Sequence, residues 1–135
     1  MAVTRRLVPV EEWKDPRQLL GVWGERVALA YLTTQGWTVE AHRFRFGRHD
    51  IDLVARRGEL VAFVEVKTRR TNACGSGVEA VSLRKQRIVA KVAAYWRLRY
   101  GQAGDTYRFD VIAIRQPEQG GEYVVEHLED AWRLM

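Results

Sequence analysis

From Asp50 to Lys67 the chain sets charged residues into two runs of apolar bulk that meet at a glycine, and this pattern reads as a β-hairpin. Ile51, Leu53 and Val54 precede the polar segment Arg56-Arg57-Gly58-Glu59, and Leu60, Ala62, Val64 and Val66 follow it. β-branched and aliphatic residues of this kind suit a pleated, half-buried surface. A two-residue type II′ turn requires glycine at its first central position, and Gly58-Glu59 supplies it, so Arg57 is expected to pair with Leu60. Counting back from that pair, Asp52 falls opposite Glu65 and Asp50 opposite Lys67. Side chains on a strand alternate faces, so the three carboxylates and the ammonium are expected on one face of the hairpin. A slip of one residue would scatter them.

Carboxylates directly opposed in a partly buried setting repel and raise each other's pKa unless a cation lies between them. Mg²⁺ suits that place, since it takes hard oxygen ligands, keeps several waters and is often held by one or two carboxylates plus a substrate phosphate. Asp52 and Glu65 are therefore candidate metal ligands, with Asp50 as an accessory acid. Lys67 is a candidate to bind a phosphate oxygen or to help deprotonate an attacking water. The alternative is a solvated hairpin face on which Glu65 and Lys67 form ordinary cross-strand pairs worth a few tenths of a kcal/mol.

Asp52 followed by Glu65-Val66-Lys67 resembles the core motif of PD-(D/E)xK nucleases. Gly24-Glu25-Arg26, Ala28 to Leu32, Gly36-Trp37, Asp50-Ile51-Asp52-Leu53-Val54, Phe63-Val64-Glu65-Val66-Lys67, Arg84-Lys85 and Arg108-Phe109-Asp110-Val111 together resemble the YraN-like family, uncharacterised protein family 0102. The similarity runs from about Leu20 to Trp132. It implies a restriction-endonuclease-like core related to Holliday-junction resolvases, with catalytic residues Glu25, Asp52, Glu65 and Lys67 and metal ligands Asp52, Glu65 and Glu25. The family pattern has Gly-Glu-Ile-Asp where this chain has His49-Asp50-Ile51-Asp52. Asp50 keeps the charge but shortens its reach, and His49 places an imidazole where a softer metal than Mg²⁺, such as Mn²⁺, finds a ligand.

The 135 residues, 47% of them hydrophobic, suit one domain with one sizeable core, expected over 17–135 behind an irregular tail at 1–16. No uncharged apolar run is long enough to span a membrane, and Met1 to Arg6 lacks the apolar stretch of a secretory signal, so a cytoplasmic protein is expected. Cys74 is the single cysteine, which rules out an intrachain disulfide and a cysteine-based zinc site. His42, His49 and His127 have no zinc-ligand spacing, and no phosphate loop or nucleophile elbow occurs. The net charge of +5 favours a polyanionic partner, DNA ahead of RNA.

Along the chain, Arg17 to Gln35 reads as a helix apolar almost all round, ended by Gly36. Glu25 is the exception, with Val22, Ala28, Leu29 and Leu32 as its helical neighbours. An unpaired carboxylate there would cost several kcal/mol. Either it pairs with Arg43 or Arg45 on the next strand, or it is a third acid that reaches the metal directly or through water. Trp37 to Phe46 reads as a strand, and Thr68 to Gly77 as a polar loop in which Arg69 and Arg70 can meet a phosphate backbone.

Ser82 is placed to cap a second long helix reaching about Tyr100, with Ile88, Val89, Val92, Tyr95 and Trp96 as its core stripe. No acid lies between Arg84 and Arg99. Arg84, Lys85, Arg87 and Lys91 are therefore candidate phosphate contacts, joined by Arg97 and Arg99. Gln86, near the helix start, is a candidate to orient water or Lys67. Tyr107 to Arg115 reads as an interior strand, Tyr123 to Leu128 as a last strand, and Glu129 to Met135 as a short helix or tail. The order predicts an α/β fold, a central mixed sheet flanked by the two long helices. A metal-dependent DNA endonuclease, acting on branched or structured DNA, is the leading functional expectation. A non-catalytic nucleic-acid-binding protein on the same fold stands beside it, with a salt-bridged adaptor as a third reading. The sequence leaves the oligomeric state open, a dimer included.

Overall fold

The computed structural model describes residues 16–69, 81–115 and 122–133. Of the tail expected at 1–16 only Pro16 is among them, and it belongs to the first helix; most of the basic loop after Arg69, Arg70 included, lies outside the described residues. The elements run α1 (Pro16–Thr34), β1 (Thr38–Phe46), β2 (His49–Arg57), β3 (Leu60–Arg69), α2 (Leu83–Tyr100), β4 (Thr106–Arg115) and β5 (Val124–Trp132). The five strands form one mixed sheet in chain order. β3 and β4 are parallel and every other neighbouring pair is antiparallel. Parallel neighbours need a crossover, and α2 makes it.

Strand alternation sends the two helices to opposite faces. Val61 and Phe63 of β3 pack with Val89, Val92, Ala93 and Trp96 of α2. Ala62 and Val64, pointing the other way, pack with Ala28 and Leu32 of α1 and with Ile112 and Ile114 of β4. The expected α/β sandwich is therefore the observed one, consistent with a nuclease-like core.

The helix ends follow the sequence. Pro16 takes the first helical position of α1, where a missing N–H is harmless. At the other end Gly36 adopts φ +88°, the Trp37 N–H donates to the Leu32 carbonyl at 3.0 Å, and the Gly36 N–H donates to the Thr33 carbonyl at 3.2 Å. These are the paired bonds of a Schellman motif. Ser82 caps α2 as expected, its hydroxyl accepting from the Lys85 N–H at 3.1 Å.

Three expectations are corrected. α1 is buried along one stripe, Val22, Ala28 and Leu32, while Ala30 and Thr33 are exposed, because only one side of it faces the sheet. Thr68 and Arg69 belong to β3, whose parallel pairing with β4 continues to Arg69 opposite Arg115 and holds them in the sheet. Glu129 to Trp132 continue β5 and form no helix. The strand bends at Asp130, where φ is +52°, and the Asp130 N–H leaves the ladder to donate to Asp110 Oδ1 at 3.0 Å.

Candidate functional site

The hairpin register is the expected one: Arg57 pairs with Leu60 and the ladder continues to Leu53 opposite Val64. Gly58 carries φ +64° at the first central position of the turn. One step beyond Leu53 and Val64 the register brings Asp52 level with Glu65, and there the backbone ladder stops. In its place Asp52 Oδ2 accepts from the Val66 N–H at 2.8 Å. The carboxylate thus bridges two strands that are parting. The facing of Asp50 and Lys67 across this ladder is corrected: Asp50 pairs in register with Arg45 of β1, because β2 has already left β3. Its charge still reaches both inner acids and disfavours their ionisation.

Burial is the main influence on both acids. It pushes the Asp52 carboxyl well up, and Glu65, Glu25 and Asp50 push it further against the Val66 N–H bond. Burial likewise raises Glu65, opposed by the Lys85 and Lys67 ammoniums and reinforced by Asp50 and Glu25. Glu65 is 5% exposed, and its Oε1 has no hydrogen-bond partner among the described residues. Lys85 Nζ stands 3.7 Å from Glu65 Oε2. Lys67, two residues along β3, shares the Glu65 face and makes no hydrogen bond or ion pair among the described residues.

Two facing acids that resist ionisation, one with an orphaned oxygen, fit a divalent cation. Among the described residues no group of three or more His, Cys, Asp and Glu converges to hold one. The pair instead matches the sparse protein ligation of Mg²⁺, completed by water and phosphate. His49 is exposed at the β1–β2 turn and joins no such group.

Glu25 is held by β1. His42 Nε2 lies 2.6 Å from its Oε1, and Arg43 donates to it twice, Nε to Oε1 at 2.9 Å and Nη2 to Oε2 at 3.2 Å. Burial alone would raise the Glu25 pKa, but these bonds hold it below the usual carboxylate range. Arg43 takes φ +51°, a strained conformation for a non-glycine residue, and the two bonds to Glu25 help to keep it there. With both oxygens engaged, Glu25 acts on Asp52 and Glu65 through its charge.

α1 lies close against β3 because Gly24 lets it. A Cβ on Gly24 would lie 1.9 Å from Thr68 Oγ1 and about 3.0 Å from Thr68 Cβ. Thr68 is branched and fixed in β3, so the helix would have to move away. Gly24→Ala is expected to lower stability by about 1–3 kcal/mol in urea denaturation, as overpacked sites do. Unchanged stability would mean that α1 has room to spare there.

The basic candidates divide. Arg84, Arg87 and Lys91 are exposed on α2 as expected. Lys85 turns inward to Glu65, and the sequence carried the signal: Val89, Val92 and Trp96, at helical spacing from it, are all buried. Arg97 sits 4.3 Å from the Tyr107 ring centroid and Arg99 bonds Tyr95. Gln86 Nε2 donates to the Val81 carbonyl at 3.2 Å, so it secures the helix start. Arg69, at the end of β3, is half-buried.

A second charged network lies toward α1. Asp110, 1% exposed, accepts from Arg108 Nε at 2.9 Å and from Arg108 Nη2 at 3.1 Å, in addition to the Asp130 N–H. His127 Nε2 lies 2.8 Å from Asp110 Oδ2, and His127 Nδ1 lies 3.1 Å from Tyr31 Oη. The network ties α1, β4 and β5 together. Arg108 and Asp110 belong to the family resemblance, but no local pattern in the sequence marks these partners.

A family model for an uncharacterised protein family, UPF0102, matches residues 24–114. A UPF0102 protein of Geobacter sulfurreducens is 39% identical over 127 residues, 94% of this chain and 98% of its own length. One from Chlorobium phaeobacteroides is 36% identical over 123 residues, covering 88% of this chain and 96% of the relative. One from Rhodococcus jostii is 39% identical over 113 residues, covering 84% and 95%.

Proposed function

The chain belongs to the uncharacterised protein family UPF0102, and from that footing we propose that it is a divalent-metal-dependent phosphodiesterase acting on DNA. The observation that carries the reading is the pair of half-buried Asp52 and buried Glu65, the latter with an unpartnered oxygen and two lysines nearby. Asp52 and Glu65 would hold the cation, Mg²⁺ or Mn²⁺, which when bound supplies Lewis acidity at the phosphate. Lys67, unengaged among the described residues, steadies the charge that grows on the phosphoryl oxygens or orders the attacking water. Lys85 keeps Glu65 in place before a substrate arrives. Glu25, fixed by His42 and Arg43, adds negative charge that favours cation uptake. The exposed Arg84, Arg87 and Lys91 suit the phosphate backbone, and Arg69, where β3 ends, extends the basic surface.

A non-catalytic DNA-binding protein is the second reading. It rests on the engagement of both Glu25 oxygens, which leaves two acids where the resemblance implies three. One experiment separates the two readings: incubation of the full chain with linear, forked and four-way DNAs in Mg²⁺ or Mn²⁺, alongside Lys67→Ala. Cleavage by the unmodified protein, lost in Lys67→Ala with DNA binding retained, is the expected result. Binding without cleavage in either metal would overturn the enzyme reading in favour of the second.

A further inference from the structure

The aromatic residues at the β1–β2 turn form a feature that the acid site does not use. Phe44, Tyr95 and Phe46 make a stack of three rings: Phe44 and Tyr95 have centroids 6.0 Å apart at 27°, and Tyr95 and Phe46 are 4.4 Å apart at 28°. Its inner end, Phe44, is 6% exposed, whereas its outer end, Phe46, is 39% exposed. Arg99 Nη1 donates to Tyr95 Oη at 2.9 Å and fixes the middle ring. Around the open end, Arg45, Arg48 and His49 are all exposed, and no acid stands among residues 45–49. An aromatic ladder with an uncovered last rung, and with the cationic Arg45 and Arg48 close along the chain, matches a nucleobase and its phosphate.

The stack also lies in line with the acid site. Tyr95 is ten positions beyond Lys85, or about 15 Å along α2 at 1.5 Å per residue. The exposed Arg84 and Lys91 lie eleven and four residues before the half-buried Tyr95, on the same side of α2. In a continuous duplex each base is covered on both sides by its neighbours, so a protein ring can stack only on a base that has lost one.

Building on the phosphodiesterase reading, we infer that Phe46 is the stacking platform for an unpaired base, and that the substrate is DNA with a single-stranded segment lying along α2. Forks and flaps have such segments, and blunt duplex does not.

The test uses 2-aminopurine, a fluorescent adenine analogue quenched by stacking, at successive positions of a single strand, of a fork arm and of a blunt duplex of the same sequence. The full chain is titrated into each in EDTA, where no cleavage occurs. Quenching at one or two adjacent positions of the strand and the fork, and none in the duplex, is the expected result. Phe46→Ala should remove it and weaken fork binding about tenfold. Phe46→Leu, which keeps apolar packing on Tyr95, should behave like Phe46→Ala, and Phe46→Trp should restore both signals. Fork binding and quenching that survive Phe46→Leu would overturn the inference and reduce the stack to packing that seats the turn on α2. Phe46-dependent self-association in sedimentation, without base quenching, would overturn it in favour of a contact between copies. A protein that stacks the base but never cuts loses only the phosphodiesterase reading. One that cuts without Phe46-dependent quenching loses only this inference.

Discussion

Asp52→Asn and Glu65→Gln should each stabilise the metal-free protein at neutral pH while lowering cleavage by at least about 10²-fold. Both acids have folded-state pKa values raised first by burial, with Glu65, Glu25 and Asp50 adding to the rise at Asp52 and Asp50 and Glu25 adding to that at Glu65. For a raised carboxyl, the favourable contribution is complete below the ordinary value near 4 and fades as pH rises through the folded value. The amides escape that loss. Their melting advantage in EDTA should therefore be absent near pH 4 and grow as pH rises. Mg²⁺ should raise the melting temperature of the unmodified protein more than that of either amide. The amides should also bind DNA without metal at least as well as the parent, since each removes repulsion toward phosphate. Amides that melt below the parent in EDTA at pH 8 would mean that the two acids are stabilising partners of other groups and no vacant pair.

Asp110→Ala should destabilise the fold by about 3–5 kcal/mol, the usual effect of deleting one partner from a buried charge pair. It removes the shared buried acceptor of Arg108, His127 and the Asp130 N–H. Burial alone would raise the Asp110 pKa, but the bonds from His127, Arg108 and the Asp130 N–H hold it below the usual range. A lowered carboxyl contributes stability above its unfolded value near 4 and loses it as pH falls through the folded value. Asp110→Asn should therefore be destabilised at neutral pH, and its disadvantage should shrink in acid below about pH 4. Urea denaturation across pH 2 to 8 measures both. A pH-independent gap between Asp110→Asn and the parent would show that geometry, and not the charge, is what this position supplies.

The elements that could be read from the sequence were those with local rules. Gly58 at a two-residue turn dictated the pairing of Arg57 with Leu60, and with it the placement of Asp52 level with Glu65. Gly36 and Ser82 marked helix ends for equally local reasons. What escaped depended on contacts far apart in the chain. The end of the β2–β3 ladder follows from a side chain taking the Val66 N–H, which no alternation pattern records. The extension of β5 through Asp130 follows from Asp110, twenty residues away, accepting its N–H. The choice of Arg43 over Arg45 as the partner of Glu25 turned on a left-handed backbone at Arg43, a conformation rare outside glycine, which pattern reading does not anticipate.

The bond from the Val66 N–H to Asp52 has a consequence for how this fold drifts under mutation. Where the ladder ends, the carboxylate of Asp52 acts as a rung of the sheet, so a lineage without cleavage would still be selected to keep an acceptor at that position. Lys67 carries no such architectural duty among the described residues. On the phosphodiesterase reading, a relative without chemistry is thus expected to shed Lys67 first and Asp52 last, and the pair of positions read together separates scaffolding from a working site.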